Sequence, residues 1–251
     1  MSKNLILQDY SSYIFISPHL DDAILSCGNL LLKLKAQNKN IQIITLFTSA
    51  SKKTLTPQAE NFLNACGYTS PIKLFEDREV EDSKATGFIG GTYKHLGFID
   101  AAWRTKNNKP LYHNGTSQFS GRISTKDHKL IDTIRTNLTK ICVNDATTLI
   151  LCPLGVGNHA DHVITRKAVE KLYKQSLFWE DYPYNTDRGV LKMFLTKHKK
   201  FRKSFEIHQM DNRKKHLAIK FYRSQLRSLF PSGQIKNTME SYYVPKNSKL
   251  S

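Results

Sequence analysis

Apolar positions along the chain fall into short continuous runs separated by longer stretches of helical period. Tyr13-Ile14-Phe15-Ile16-Ser17 is a β-rich run, and Asp22 to Lys35 follows with apolar residues at 24, 25, 31, 32 and 34, the spacing of a helix laid on a sheet. Ile41 to Thr48 is a second β-branched run, long enough for an inner strand of a parallel sheet. Pro57 to Cys66 reads as a helix. From Glu76 to His95 the helical pattern is interrupted by Gly87, Gly90 and Gly91, which predicts two short helices with a loop between them. Asp127 to Val143, with apolar residues at 130, 131, 134, 138, 141 and 142, is an amphipathic helix, and Thr147 to Cys152 is a third buried strand ended by Pro153. A loop with Gly155 and Gly157 leads to His159. Val163 to Lys174 then reads as helix, and Asp211 to Phe230 as one long basic helix. Strands alternating with helices imply an α/β fold: a Rossmann-like, mostly parallel sheet with helices on both faces. In such sheets ligands bind at the C-terminal edge of the strands, which is where an active site is expected.

At 251 residues the chain suffices for a single domain spanning 1–251, with a basic C-terminal portion over 192–251. No run approaches the roughly 18 apolar residues of a transmembrane helix. The polar Gln8, Asp9 and Tyr10 interrupt the N-terminus before a signal-peptide core develops, so the cytoplasm is the expected compartment. Cys27, Cys66, Cys142 and Cys152 show no Cys-x-x-Cys spacing and sit in apolar stretches, which predicts buried reduced thiols and neither a disulfide framework nor a thiolate metal site.

Charge changes the picture more. The formal net charge is +17, and residues 192–251 hold 15 Lys+Arg against 3 Asp+Glu. A field of this sign favours anionic partners without choosing among them, and it is equally the solvated face of a lysine-rich protein.

Two polar clusters stand at the rim expected of a ligand site. Ser17-Pro18-His19-Leu20-Asp21-Asp22 follows the first strand, and Gly157-Asn158-His159-Ala160-Asp161-His162 follows the third. Zinc in a hydrolytic site takes three nitrogen or carboxylate ligands and keeps one position for water; His19, Asp22 and His162 make such a set. Asp21 is left to act as a general base, and His159 as a further polar group in the same cavity. Each feature has a plainer reading. An Asp at a strand-to-helix turn serves as a helix N-cap, and a His-x-x-His pair occurs on surfaces without metal. Their coincidence at the edge of one sheet favours the site.

Here the sequence resembles the PIG-L/LmbE-like zinc-dependent N-acetylglucosaminyl deacetylases. The resemblance rests on Pro18-His19-Leu20-Asp21-Asp22 and His159-Ala160-Asp161-His162. It extends to Arg78 with Glu79, Glu81 and Asp82, to Leu96-Gly97-Phe98-Ile99-Asp100, and to Tyr222-Arg223-Ser224-Gln225-Leu226. It implies that His19, Asp22 and His162 bind Zn2+, or another divalent ion such as Fe2+. It further implies Asp21 as the base, His159 as a group that assists the oxyanion or orients the base, and Arg78 and Asp100 as sugar contacts. The chain departs from the family's commonest pattern at Leu20 and Ala160, where Pro is usual, and at Ala23, where Glu is usual; none of these is a proposed ligand or base.

The expected reaction is removal of an N-acetyl group from an N-acetylglucosamine-type sugar or glycoconjugate, anionic or lipid-linked forms included. Arg78 is also readable as a surface ion-pair partner among Glu76, Asp77, Glu79 and Glu81, and Asp100 as the cap of a turn. Trp179-Glu180-Asp181-Tyr182-Pro183-Tyr184 is readable as a sugar-stacking segment or as core and rim. A rival class, a nucleic-acid-binding protein or metal-dependent nuclease, rests on the basic residues and on Phe201, Phe205, Phe221 and Tyr222. Those aromatics have the spacing of helix packing, so nucleic acid is not the expected partner. Oligomeric state is not legible, a homo-oligomer included.

Overall fold

The computed structural model describes residues 7, 9–51, 55–143, 145–173, 175–208, 212–248 and 250. In chain order the elements are β1 (Ser12–Ser17), α1 (Asp22–Ala36), β2 (Asn40–Thr45), α2 (Pro57–Cys66), α3 (Pro71–Phe88), β3 (Thr92–His95), β4 (Thr105–Lys106), β5 (Lys109–Pro110), α4 (Gly115–Gln118), α5 (His128–Ile141), β6 (Thr148–Pro153), α6 (Ala160–Leu172), β7 (Ser176–Trp179), α7 (Arg188–Lys197), β8 (Phe201–Ile207), α8 (Asn212–Ile219), α9 (Arg223–Leu229) and β9 (Glu240–Pro245).

Seven strands form one sheet in the order β3-β2-β1-β6-β7-β9-β8, and β4 with β5 makes a separate hairpin. The first five are mutually parallel, while β9 runs antiparallel to β7 and β8 antiparallel to β9. The sheet is therefore mostly parallel, as expected, with an antiparallel edge that the pattern did not foretell. From β1 the chain winds outward to β2 and β3; β6 returns to the other flank of β1, with Ser12 opposite Thr148 and Phe15 opposite Leu151. The winding direction reverses between β1 and β6. That switch point opens a crevice at the carboxyl ends of the two strands.

The central strands read as unbroken apolar runs because both faces are covered. Tyr13, Phe15, Ile43, Leu149 and Leu151 face a core built with α1 and α8, while Ile14, Ile16, Ile44, Ile150 and Cys152 face one built with α5, α6 and α7. A smaller cluster of Leu20, Leu63, Leu74, Phe75 and Trp103 packs α2 and α3 over the crevice. These two helices start where Thr56 and Ser70 accept N–H groups of their first turns, each with Pro at the first helical position.

Three expectations are corrected. The segment 76–95 is not two short helices: α3 passes through Gly87 to Phe88, and β3 follows after a turn at Gly90 with φ +74°. The basic helix placed over 211–230 is two, α8 and α9, within the described residues. Tyr222 at the break is fully buried and donates its hydroxyl hydrogen to Asp82 Oδ1 at 2.8 Å, while Glu81 accepts from both the N–H and the hydroxyl of Ser224. Ending one helix and starting another lets α3 carboxylates satisfy the new N-terminus. Finally, all four cysteines are free thiols, but Cys66 is only half-buried. Among the described residues no helix is long and apolar enough to cross a membrane.

Candidate active site

The turn after β1 is fixed by its own backbone and hydroxyl groups. Ser17 Oγ donates to His19 O at 2.8 Å and accepts the N–H of Ala23 at 3.2 Å, while the chain beyond β2 donates from Phe47 N to Pro18 O. Held in this way, Pro18-His19-Leu20-Asp21-Asp22 is buried throughout. Asp21 occupies the N-cap position of α1, yet its carboxylate makes no cap hydrogen bond. Its Oδ2 lies instead 3.7 Å from Arg78 Nη2. Burial and the neighbouring Asp22 push its pKa up to about 7.

Asp22 turns the other way. Its Oδ2 accepts the backbone N–H of His19 at 2.9 Å and lies 3.1 Å from His19 Nδ1 and 3.3 Å from His162 Nε2. Each imidazole is backed on its far nitrogen by another carboxylate: His19 Nε2 by Asp161 Oδ2 at 3.1 Å, and His162 Nδ1 by Asp181 Oδ1 at 2.6 Å. The electrostatics follow. Burial disfavours both imidazolium ions, but the surrounding carboxylates outweigh it, holding His19 well above the usual histidine range and raising His162 to about 9. Burial likewise opposes the Asp22 carboxylate, and His162 and His19 reverse that, holding it well below its usual range.

The backing carboxylates are themselves anchored. Asp161 accepts the N–H of Ala101 at 2.9 Å and pairs with Arg104 Nη1 at 2.5 Å; Arg104 Nε in turn reaches Asp127. Asp181 accepts from the N–H groups of Gly155 and Val156. Sequence reasoning gave neither Asp161 nor Asp181 a role behind the histidines. Asp161 had a signal, standing inside the second motif; Asp181 had only its place just beyond β7, the next strand along the same sheet edge.

His159 is the N-cap of α6, its Nδ1 accepting the N–H of Asp161 at 3.2 Å. Burial and His19 hold its pKa well below the usual value, so it is neutral; with Nδ1 accepting, its proton sits on Nε2, 2.7 Å from Gln118 Nε2, a contact that becomes a hydrogen bond when the carboxamide is turned to present Oε1. Its ring centroid is 4.8 Å from that of His19 and 5.3 Å from that of His162. Two buried groups, His19/His159/His162 and His19/Asp100/Asp161, have donor atoms within 4.8 Å of one another.

Arg78 is not a surface ion-pair partner. It is 2 % exposed between the rings of Phe62 and Phe75, with Nε and Nη1 lacking any hydrogen-bond partner. Asp100 does cap the following turn, Oδ1 accepting from Ala102 N, while Oδ2 lies 3.5 Å from His19 Nε2. In the segment 179–184, Trp179 and Asp181 are buried, and Tyr182 and Tyr184 wall the cavity.

All seven residues singled out from sequence meet around this crevice, and all except His162 line a cavity of about 310 Å³. Leu25, Phe62, Phe119, Tyr184 and Leu229 supply apolar walls, and Gln58, Asn61, Gln118 and Gln225 supply carboxamides; among the described residues no lysine contributes. A small, apolar-walled cavity with convergent polar groups is the form of a small-molecule site.

Comparison with known proteins agrees with this geometry. The family described as "PIG-L: GlcNAc-PI de-N-acetylase" matches residues 14–173. A 2'-N-acetylparomamine deacetylase from Niallia circulans is 27 % identical over 194 residues, covering 70 % of this chain and 69 % of its own. The Streptomyces fradiae protein of the same name is 25 % identical over 182 residues, covering 71 % and 59 %. The fold matches a solved deacetylase of the teicoplanin biosynthesis pathway with a TM-score of 0.71 at 22 % identity, over 94 % of this chain and 99 % of that one. With both motifs inside the matched region, the chain belongs to the PIG-L family of de-N-acetylases and is a hydrolase of that kind.

Proposed function

We propose that this chain removes the N-acetyl group from an N-acetylglucosamine-type sugar, using a zinc ion held by His19, Asp22 and His162. The observation that carries the proposal is the position of Asp22 Oδ2, 3.1 Å from one imidazole nitrogen and 3.3 Å from the other. Ligands of a tetrahedral ion with bonds near 2.1 Å stand about 3.4 Å apart, so Asp22 Oδ2 lies at ligand spacing from both imidazoles, and the donor set fits the ion in number and type. The carboxylates behind both histidines fix which nitrogen faces the centre, as is usual for metal-bound imidazole. In the alternative set with Asp100 and Asp161, Asp161 is already committed to Arg104 through Oδ1 and to Ala101 and His19 through Oδ2.

A divalent cation bound there supplies Lewis acidity, which lowers the pKa of water and polarises an amide carbonyl. The side chains do the rest. Asp21 takes the proton from the attacking water, and a neighbouring cation favours the ionised form that this role needs. His159, neutral and carrying its proton on Nε2, donates to the carbonyl oxygen as negative charge builds. The tetrahedral adduct collapses when Asp21 returns its proton to the leaving nitrogen, giving acetate and a free amine. Arg78 and Asp100, both in the cavity lining, hold the sugar.

A cavity of this size with four carboxamides suits one polyhydroxylated ring. It does not suit nucleic acid, and among the described residues the segment 192–251 contributes only the uncharged Gln225 and Leu229 to its wall. The test is acetate release from a panel of N-acetylated amino sugars. Release should vanish on chelation and return with zinc; an inactive zinc-loaded protein across the panel would refute the reading.

A further inference from the structure

In the reaction proposed above His159 offers a single N–H, and that group is already engaged. Its Nδ1 accepts the backbone N–H of Asp161 at 3.2 Å, which leaves the ring proton on Nε2. Gln118 Nε2 stands 2.7 Å from that atom. Two donors do not face one another at such a distance, so the carboxamide presents Oε1 to His159 and its amino group to the next carboxamide, that of Gln58 on α2, which turned in the same way accepts at 3.4 Å. The backbone donor at one end sets the direction of every link. Asp161 N–H donates to His159, His159 to Gln118, and Gln118 to Gln58.

The surrounding segment holds Gln118 in this place. The side chain is 6 % exposed, and its short helix α4 is closed by a reciprocal capping box between Asn114 and Ser117. The next residue, Phe119, sets its ring edge-on to that of His159 with centroids 4.9 Å apart, and Gly121 donates its N–H to Asn158 O at 3.0 Å. Residues 118–121 therefore lie along the second motif. Gln118 and His159 both line the cavity that receives the substrate, and a carboxamide oxygen is the same kind of acceptor as the carbonyl oxygen of an acetamide.

We infer that Gln118 holds the place of the substrate's acetamide: its amide oxygen occupies the His159 N–H in the free protein, and an N-acetyl group gains that hydrogen bond by displacing it. The inference rests on the deacetylase reading above, in which His159 donates to the carbonyl oxygen. One N–H serves one strong acceptor, so binding exchanges a hydrogen bond within the protein for one to the substrate, and the net gain from the pair is small. The exchange also selects. A sugar bearing an ammonium group presents no acceptor to His159, so the Gln118 bond re-forms once acetate has left, and the amine product is held without it.

The test uses the full-length, zinc-loaded protein and an N-acetyl sugar that it deacetylates. Gln118→Met keeps the length of the side chain and removes the amide acceptor; with nothing to displace, KM should fall by about 2- to 10-fold, the worth of one neutral hydrogen bond, and kcat/KM should rise with it. Gln118→Glu puts a charge-assisted acceptor in the same position and should raise KM by at least as much. A residue that served only the packing of α4 would impair both variants in the same direction. The native protein supplies an independent reading. In NMR spectra of isotope-labelled histidine, the His159 proton should sit on Nε2, and its resonance should move on saturation with acetamide but not with the deacetylated amino sugar. A proton on Nδ1, a resonance indifferent to acetamide, or a Gln118→Met KM equal to or above that of the unaltered protein would each overturn the role of Gln118 while leaving the deacetylase reading in place. Absence of acetate release by the unaltered protein from every sugar tried would refute that reading, and this role with it.

Discussion

His162 and Asp181 share a 2.6 Å hydrogen bond from Nδ1 to Oδ1, with each side chain 1 % exposed. The bond fixes the ring orientation so that Nε2, and not Nδ1, faces Asp22. A carboxylate in this position raises the basicity of the imidazole and pre-sets the ligand before any ion arrives. Asp181→Asn keeps the shape and loses the charge, so zinc affinity should fall by about 10- to 100-fold while the fold survives. Competition with a chromophoric chelator measures it. Unchanged affinity would mean that Asp181 serves only the loop amides of Gly155 and Val156.

Asp21 differs from its neighbour in having no imidazole contact, only Arg78 at 3.7 Å. Asp21→Asn should therefore retain a full complement of zinc but lose turnover by about 10²- to 10⁴-fold, the usual contribution of a general base. His19→Ala should lose the metal itself. Metal content by mass spectrometry beside acetate release separates the two roles, and a fully active Asp21→Asn would remove the base from the mechanism.

In the metal-free protein the pH dependence of stability has a definite sign. His162 holds its proton up to about pH 9, whereas the unfolded chain releases it near the ordinary histidine value of about 6.5. Between those values the folded state binds more protons, so stability from this group is complete below about 6.5 and is lost as pH rises through about 9. His19, raised for the same reason, acts in the same direction. The melting temperature of chelator-treated protein should fall across this window, and apparent zinc affinity should rise across it, because the ligand must give up its proton to bind. A flat affinity profile from pH 6.5 to 9 would contradict the assignment of His162 as a ligand.

What could be read beforehand depended on how local the signal was. The strand runs of β1 and β6 and the motifs that follow them are contiguous in sequence, so their types and their meeting at one sheet edge were legible. Asp181 was not, because its role exists only once β7 lies beside β6 and brings the loop at 180–181 behind His162. The split between α8 and α9 was hidden for a similar reason: Arg223 to Leu229 has helical character on its own, and the break is imposed by Asp82 and Glu81 on α3, some 140 residues earlier. The antiparallel β8 carries no continuous apolar run, with buried residues only at 201, 205 and 207. Gln58 and Asn61 reach the cavity only because α2 folds back over it.

Gly157 stands in the second motif for a reason that its neighbours make testable. Its φ of +86° lies in the left-handed region, where a β-carbon is strained. A β-carbon there would also collide with the Tyr184 ring, meeting Cδ1 at 2.6 Å. Tyr184 lines the cavity, and its ring centroid lies 5.9 Å from that of His162 and 6.0 Å from that of Phe119. The ring is partly buried and packs on the core beneath α7, so displacing it moves the cavity wall. Gly157→Ala should therefore lower stability by about 1 kcal/mol or more and also displace Tyr184 from the sugar side of the cavity. The expected signature is a raised KM with zinc content intact, since His19, Asp22 and His162 do not touch the residue. Thermal melting, metal content and steady-state kinetics together check it; a variant with wild-type KM would show that the Tyr184 wall does not meet the substrate.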